Sequence, residues 1–168
     1  MEYRFRKLNP NSQEDMKDYI MFETKLNNYL KSIVTKITEE EINWRKMHFV
    51  EGDEATFFCE CDDGIVGYIN VCSYHVVNNK RPNDDIGLIS DIMVDRNHSN
   101  QGDNALTLLK LGIEELMKNG KTKAIMVVQE DNENRFLHFS LADKILSQKE
   151  ISRRDGSKTI SYELLISN

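Results

Sequence analysis

The stretch "ISDIMVDRNHSNQGDNALTLLKLGIEEL", residues 89–116, carries the clearest chemical signal in the chain. An apolar run stops at Val94, a polar loop with a single glycine (Gly102) follows, and apolar residues then recur at helical spacing. A strand, a polar loop and a helix N-terminus in that order can hold a phosphate, because the first amides of a helix have no partner inside it. Phosphate loops usually carry more glycine or more positive charge. From Val94 to Ala105 the charges are Arg96 against Asp95 and Asp103, a net acidic segment. A plain strand-to-helix connection is the competing reading.

The remaining nucleophilic and metal-binding residue types say less. Cys59 and Cys61 lie two apart in an expected strand and share a face. Without the C-x-x-C spacing of zinc and redox motifs, they and Cys72 read as small core side chains in a reducing compartment. No Cys, His and Asp residues show metal-site spacing, and no metal is expected. Among the four histidines, His98 reads as a solvated loop residue rather than a phosphate contact, and His48 as structural.

Composition narrows the class. A length of 168 residues fits one domain, 1–168, with a sizeable core. The formal net charge of −6 argues against nucleic acid, whose phosphates need a basic face. No apolar run approaches the roughly 18 residues of a membrane helix, and the first residues lack the apolar core of a signal peptide. The expectation is a soluble cytoplasmic protein with no membrane partner.

Positioning elements follow from periodicity and turns. Tyr3–Leu8 reads as a short strand. Asn11 or Ser12 caps a helix through Met16, Tyr19, Phe22 and Leu26, continuing to Ile33. Thr38–Glu41 is a capping box that opens a second helix through Ile42, Trp44 and Met47. Ala55–Cys61 and Ile65–Val77 are strands joined at Asp62-Asp63-Gly64. Ile86–Val94 is the next strand, and Leu106–Met117 a helix ended by Asn119-Gly120. Lys123–Gln129 reads as a strand buried on both faces, followed by a helix from about Asn132 to Ile145. Glu150–Arg154 and Thr159–Ser167 close the chain as a hairpin. The expected class is α/β (α+β), a mixed, largely antiparallel sheet with helices on both faces, in the order β-α-α-β-β-β-α-β-α-β-β with one right-handed crossover.

That order, "ISDIMVDRNHSNQGDNALTLL" and "VVQEDNENRFLHF" together resemble the GNAT-type N-acetyltransferase superfamily over nearly the whole chain. The resemblance implies a cleft where the strand at Ile92, Met93 and Val94 bends away from its parallel neighbour at a bulge. The pantetheine of acetyl-CoA, the co-substrate, would pair there with exposed backbone. Its pyrophosphate would meet Ser99, Asn100, Gln101, Gly102, Asp103, Asn104 and Ala105, and Asn132 would contact the pantetheine. The chain departs from the family pattern at Ser99 (usually Arg or Gln), at Asn104 (Gly or Ala) and at Phe139, which aligns with the Tyr that protonates the leaving thiolate. Asp103 adds negative charge beside the pyrophosphate and is a good residue for capping the helix itself.

The same resemblance assigns catalytic roles. Asp91 is the candidate general base or orienter of an amine, against a structural carboxylate. Glu130 is a second candidate base, against a helix-capping one. His138 and Ser140 are weak substitutes for the missing acid. Tyr29, Trp44, Tyr74 and His75 are candidates for the acceptor side, against core or structural roles, and the acidic residues from Glu39 to Glu54 read as a solvated face, against attraction of a cationic amine. The function implied is acetyl transfer from acetyl-CoA to a primary amine, of a small molecule or a protein, by direct attack. The alternative is a catalytically impaired module of this fold that binds CoA or another ligand. A homodimer is left open.

Overall fold

The computed structural model describes residues 2–26, 38–40, 42–43, 46–47, 54–73, 85–98, 103–129, 144–152 and 158–166. Seven described strands form one mixed sheet: β1 (Arg4–Lys7), β2 (Glu54–Cys61), β3 (Gly64–Cys72), β4 (Ile86–Val94), β5 (Lys123–Gln129), β6 (Lys144–Ser152) and β7 (Lys158–Leu165). Their spatial order is β1-β2-β3-β4-β5-β7-β6, and β4 with β5 is the one parallel pair among the described strands. Two described helices are long, α1 (Gln13–Leu26) and α2 (Asn104–Lys118).

The helices take opposite faces of the sheet because β2 alternates. Phe57, Cys59 and Cys61 point to one core with Leu108, Leu109, Ile113 and Leu116 of α2. Phe58 points to a second core with Met16, Tyr19 and Ile20 of α1. Helix α1 starts where Ser12 Oγ accepts the Asp15 amide at 3.2 Å, and its first turn carries Glu14 and Asp15 at the positive end of the helix dipole. Helix α2 stops as expected. Gly120, at φ 77°, sends its amide to the Met117 carbonyl while the Lys121 amide reaches Leu116, the two bonds of a Schellman cap. The second expected helix lies mostly outside the described residues. Residues 39, 40, 42, 43, 46 and 47 are helical, and the Ile42 amide bonds the Thr38 carbonyl at 3.1 Å.

Three expectations need correction. Strand β5 is not buried on both faces: Ala124 and Met126 are buried, Ile125 is half-buried and Val127 is 44 % exposed. Strand β6 begins at Lys144, so no helix runs to Ile145; the rest of that expected helix, 132–143, lies outside the described residues. "KILSQKEIS" shows no two-residue alternation because β6 is an edge strand exposed along its whole length, with no core face to enforce one. Strand β3 ends at Cys72 rather than running through to Val77; residues 74–84 lie outside the described residues.

Candidate functional site

The site begins with one extra residue. Asn70 of β3 pairs with Asp91 and Val71 with Ile89, so Ser90 has no partner on β3 and bulges out of β4. The bulge resets the strand's alternation. Ile89 and Ile92, three apart, both pack on the α2 core, where strict alternation would separate them. Asp91 is thereby turned away from that core. It meets Tyr68, a residue of the α1-side core.

At the same point the parallel pair comes apart. Pairing of β4 with β5 runs from Ile86↔Lys123 to Ile89↔Met126 and stops. Both strands continue, with Asp91–Val94 paired to β3 and Val127–Gln129 paired to β7. The edge of β4 that faces β5 is therefore left without a strand partner among the described residues. Backbone groups on such an edge need another acceptor or donor. Ile92 and Val94 direct their side chains to the α2 core and Met93 to the α1 core. What these three expected cofactor residues can offer a ligand in the cleft is backbone.

Asp91 is held closely. The Tyr68 hydroxyl donates to its Oδ2 at 2.6 Å, and the Met93 sulfur lies 3.8 Å from that hydroxyl. Tyr68 is fully buried, with the rings of Tyr19 and Phe22 edge-on at 5.4 and 5.9 Å. Burial raises the Asp91 carboxyl above the ordinary carboxylate range, and the bonds from Tyr68 and from the Ile92 amide pull it partway back. Burial first, then the charge of Asp91, push the Tyr68 hydroxyl far above its ordinary value, so it remains a proton donor. Tyr68 was not singled out from the sequence. Two rules could have found it: a buried tyrosine needs a partner for its hydroxyl, and a buried carboxylate needs a donor.

At the far end of the cleft, α2 starts at Asn104. Asp103 precedes it in the left-handed region, φ 52° and ψ 32°, the one non-glycine residue with positive φ among the described residues. Its side chain makes no capping bond, contrary to expectation, because the left-handed backbone is not the extended conformation of a side-chain cap. Thr107 is the first helix residue bonded to the Asp103 carbonyl, which leaves the amides of Asn104, Ala105 and Leu106 without an acceptor inside the helix. Asn104 is fully buried, and its Nδ2 donates to the His98 carbonyl at 3.2 Å. Through that bond its side chain ties the base of the loop together.

His98 is also corrected. It is buried, 8 % exposed, not solvated, because the Tyr3 ring stands edge-on to it and the Tyr3 hydroxyl lies 3.2 Å from Nδ1. Cys59, Cys61 and Cys72 are buried free thiols, as expected of core side chains. Burial pushes the Cys59 thiol up to about 11.

A separate cleft of about 460 Å³ lies between α1 and the β2–β3 hairpin, lined by Arg4, Asp18, Met21, Lys25, Glu60 and Ile65 among others. None of Ser90–Val94 lines it, and nothing in the sequence pointed to it. Ser99, Asn100, Gln101, Gly102, Glu130, Asn132, His138, Phe139 and Ser140 lie outside the described residues, as do Tyr29, Trp44, His48, Tyr74 and His75. No described helix is long and apolar enough to cross a membrane.

No family model and no curated protein matches the chain in sequence. Solved structures do match in fold. The acetyltransferase of the GNAT family from Streptococcus pneumoniae has a TM-score of 0.74 at 19 % identity, covering 99 % of this chain and 100 % of that one. The structure of yncA from Salmonella typhimurium, solved with its cofactor acetyl-CoA, has a TM-score of 0.68 at 15 % identity, with 100 % and 96 % covered. The ribosomal-protein-S18-alanine N-acetyltransferase from Escherichia coli has a TM-score of 0.62 at 18 % identity, with 99 % and 96 % covered. A mixed seven-stranded sheet, parted between its parallel strands and flanked by α1 and α2, gives this chain the GNAT-type acetyltransferase fold.

Proposed function

We propose that the chain is an N-acetyltransferase that moves an acetyl group from acetyl-CoA to a primary amine of a small molecule or a protein. The observation that carries this reading is the parting of β4 from β5 at the Ser90 bulge, with a shielded carboxylate, Asp91, beside it. The β4 edge at Asp91–Val94, without a strand partner among the described residues, suits an extended amide-containing arm, which would pair with it as an added strand. The amides of Asn104, Ala105 and Leu106, which have no acceptor inside the helix, suit a pyrophosphate. Ser99, Asn100, Gln101, Gly102 and Asn132 are the further candidates for holding the co-substrate, whose thioester supplies an acyl group that an amine can attack directly.

The residues of this chain do the rest. An ordinary amine is protonated at neutral pH and must lose a proton to become a nucleophile. Asp91, with its affinity for a proton raised by burial, accepts that proton directly or through water. Tyr68 keeps the carboxylate aimed and cannot itself serve as the base, because its hydroxyl stays protonated. Glu130 is the second candidate base. The new N–C bond forms as the C–S bond breaks, and solvent protonates the thiolate, since Phe139 offers no proton.

A second reading, a module that binds CoA without transferring an acyl group, draws on Asp103. Its carboxylate sits at the α2 N-terminus without making a cap, where it repels an anionic ligand. One experiment separates the two: release of free thiol from acetyl-CoA across a panel of amines, beside thermal unfolding with and without CoA. Amine-dependent release supports the transferase. A CoA-induced rise in Tm with no release for any amine supports the binding module. Neither effect would remove both.

A further inference from the structure

Three metal-ligating side chains from distant parts of the sequence converge away from the parted β4–β5 edge, two of them, Cys61 and Asp63, in the lining of the cleft between α1 and the β2–β3 hairpin. Past β4 the chain bonds back to β3 (Asp95 amide to Val66 carbonyl, 2.8 Å) and turns (His98 amide to Asp95 carbonyl, 2.8 Å). This carries His98 to the β2–β3 hairpin. One ligand atom each of Cys61, Asp63 and His98 then lies within 4.8 Å of the other two. The His98 Nε2 is 3.7 Å from Asp63 Oδ2, too far for a hydrogen bond. A Cys–His–Asp relay is excluded by the ring's orientation. Such a relay needs the thiol on one imidazole nitrogen and the carboxylate on the other, whereas here Nδ1 is taken by the Tyr3 hydroxyl and the carboxylate is on the Nε2 side.

Convergence on a point is what a metal ion requires. Bonds of about 2.0 to 2.3 Å around a tetrahedral ion place the donor atoms roughly 3.3 to 3.7 Å apart. We propose that Cys61, Asp63 and His98 form a site for a zinc-class divalent ion, with a fourth position open to water. A thiolate, an imidazole and a carboxylate favour zinc over magnesium or calcium, which prefer oxygen alone. On binding, the Cys61 thiol releases its proton to solvent. Tyr3 takes the orienting role that partners of the second imidazole nitrogen commonly have. The ion would pin the hairpin to the segment entering the loop at residue 99, whose base Asn104 already ties to the His98 carbonyl. Spacing could not show this, since Cys61 and His98 are 37 residues apart in sequence and only the bulged, antiparallel path of β3 and β4 brings them together.

The test uses the full chain, reduced and stripped by chelation, titrated with Co²⁺ and then with Zn²⁺. A thiolate-to-cobalt charge-transfer band with tetrahedral visible bands is expected, displaced by Zn²⁺, and Tm should rise with Zn²⁺. Cys61→Ser should abolish the charge-transfer band and Cys72→Ser should keep it. Asp63→Asn, in an exposed turn, and Tyr3→Phe should each weaken binding at least tenfold. They decide the matter if Cys61→Ser does not fold. No band in the wild type, a band that survives Cys61→Ser, or undiminished affinity in Asp63→Asn overturns the site.

Discussion

Replacing Tyr68 with Phe removes one hydroxyl and leaves the ring that packs against Tyr19 and Phe22. The lost bond, 2.6 Å from hydroxyl to Asp91 Oδ2, is made to the ionised carboxylate far more strongly than to the acid. Hydrogen bonds to charged groups contribute about 1.5 to 3 kcal/mol, and one pKa unit is about 1.4 kcal/mol. The Asp91 pKa should therefore rise by roughly one to two units, the upper figure holding if water does not replace the hydroxyl. If Asp91 is the base, the acid limb of kcat/KM moves to higher pH by that amount, while the rate on the high-pH plateau changes little. Stability follows the same sign. The Asp91 carboxyl is already raised in the folded protein, so folding takes up a proton and stability falls as pH rises from about 4 through the folded pKa. Tyr68→Phe extends that fall to higher pH. Its cost of about 1.5 to 3 kcal/mol appears above the folded pKa and fades below it. The assays are pH-rate profiles with one working amine and denaturant unfolding at several pH values. A folded Tyr68→Phe protein with an unmoved acid limb would refute the assignment of that limb to Asp91.

Three further outcomes are expected. Asp91→Asn should fold, lose the acid limb and slow amine-dependent thiol release by about 10²- to 10⁴-fold; a loss below threefold would transfer the base role to Glu130 or to water. Asp103→Gly should be neutral to about 1 kcal/mol stabilising, because the left-handed conformation favours glycine and no side-chain cap is lost, and it should tighten CoA a few-fold at low salt by calorimetry. Gly112→Ala places a methyl 2.7 Å from Ile69 Cδ1 and 2.9 Å from Val71 Cγ1; overpacking of about 1 to 3 kcal/mol, offset by about 1 kcal/mol of helix propensity, should lower the denaturation midpoint.

What could be read from the sequence was whatever periodicity and turn chemistry enforce locally. The strand at Ile86–Val94, the helix ended by Asn119-Gly120 and the hairpin at Asp62-Asp63-Gly64 all carry such signals, and all are present. Strand β6 carries none, since no core face constrains an exposed edge, and its first two residues read as the end of a helix. The bulge was legible only through the resemblance, although Ile89, Ile92 and Val94 on one core are its signature in spacing. The partnership of Tyr68 with Asp91 is a contact between strands, and residue spacing along one strand does not contain it.

The two departures at the start of α2 have one physical account. A glycine or alanine where Asn104 stands could not bond the His98 carbonyl, six residues back, and the loop's base would need another fastening. With Asn104 buried as that fastening, the chain enters the helix through Asp103 in a left-handed turn, a conformation aspartate tolerates better than most residues. The cost falls on the ligand side, because Asp103 places a carboxylate at the helix N-terminus and makes no capping bond to the three amides that lack an acceptor inside the helix. Those amides keep their capacity for an anion, and the nearby charge lowers the affinity they can deliver. Salt should distinguish this from a lost site: raising ionic strength screens the repulsion by Asp103 as well as the attraction of the amides. CoA binding should therefore weaken less steeply with salt in the wild type than in Asp103→Gly. Identical salt dependence in the two proteins would mean that the Asp103 charge does not reach the ligand.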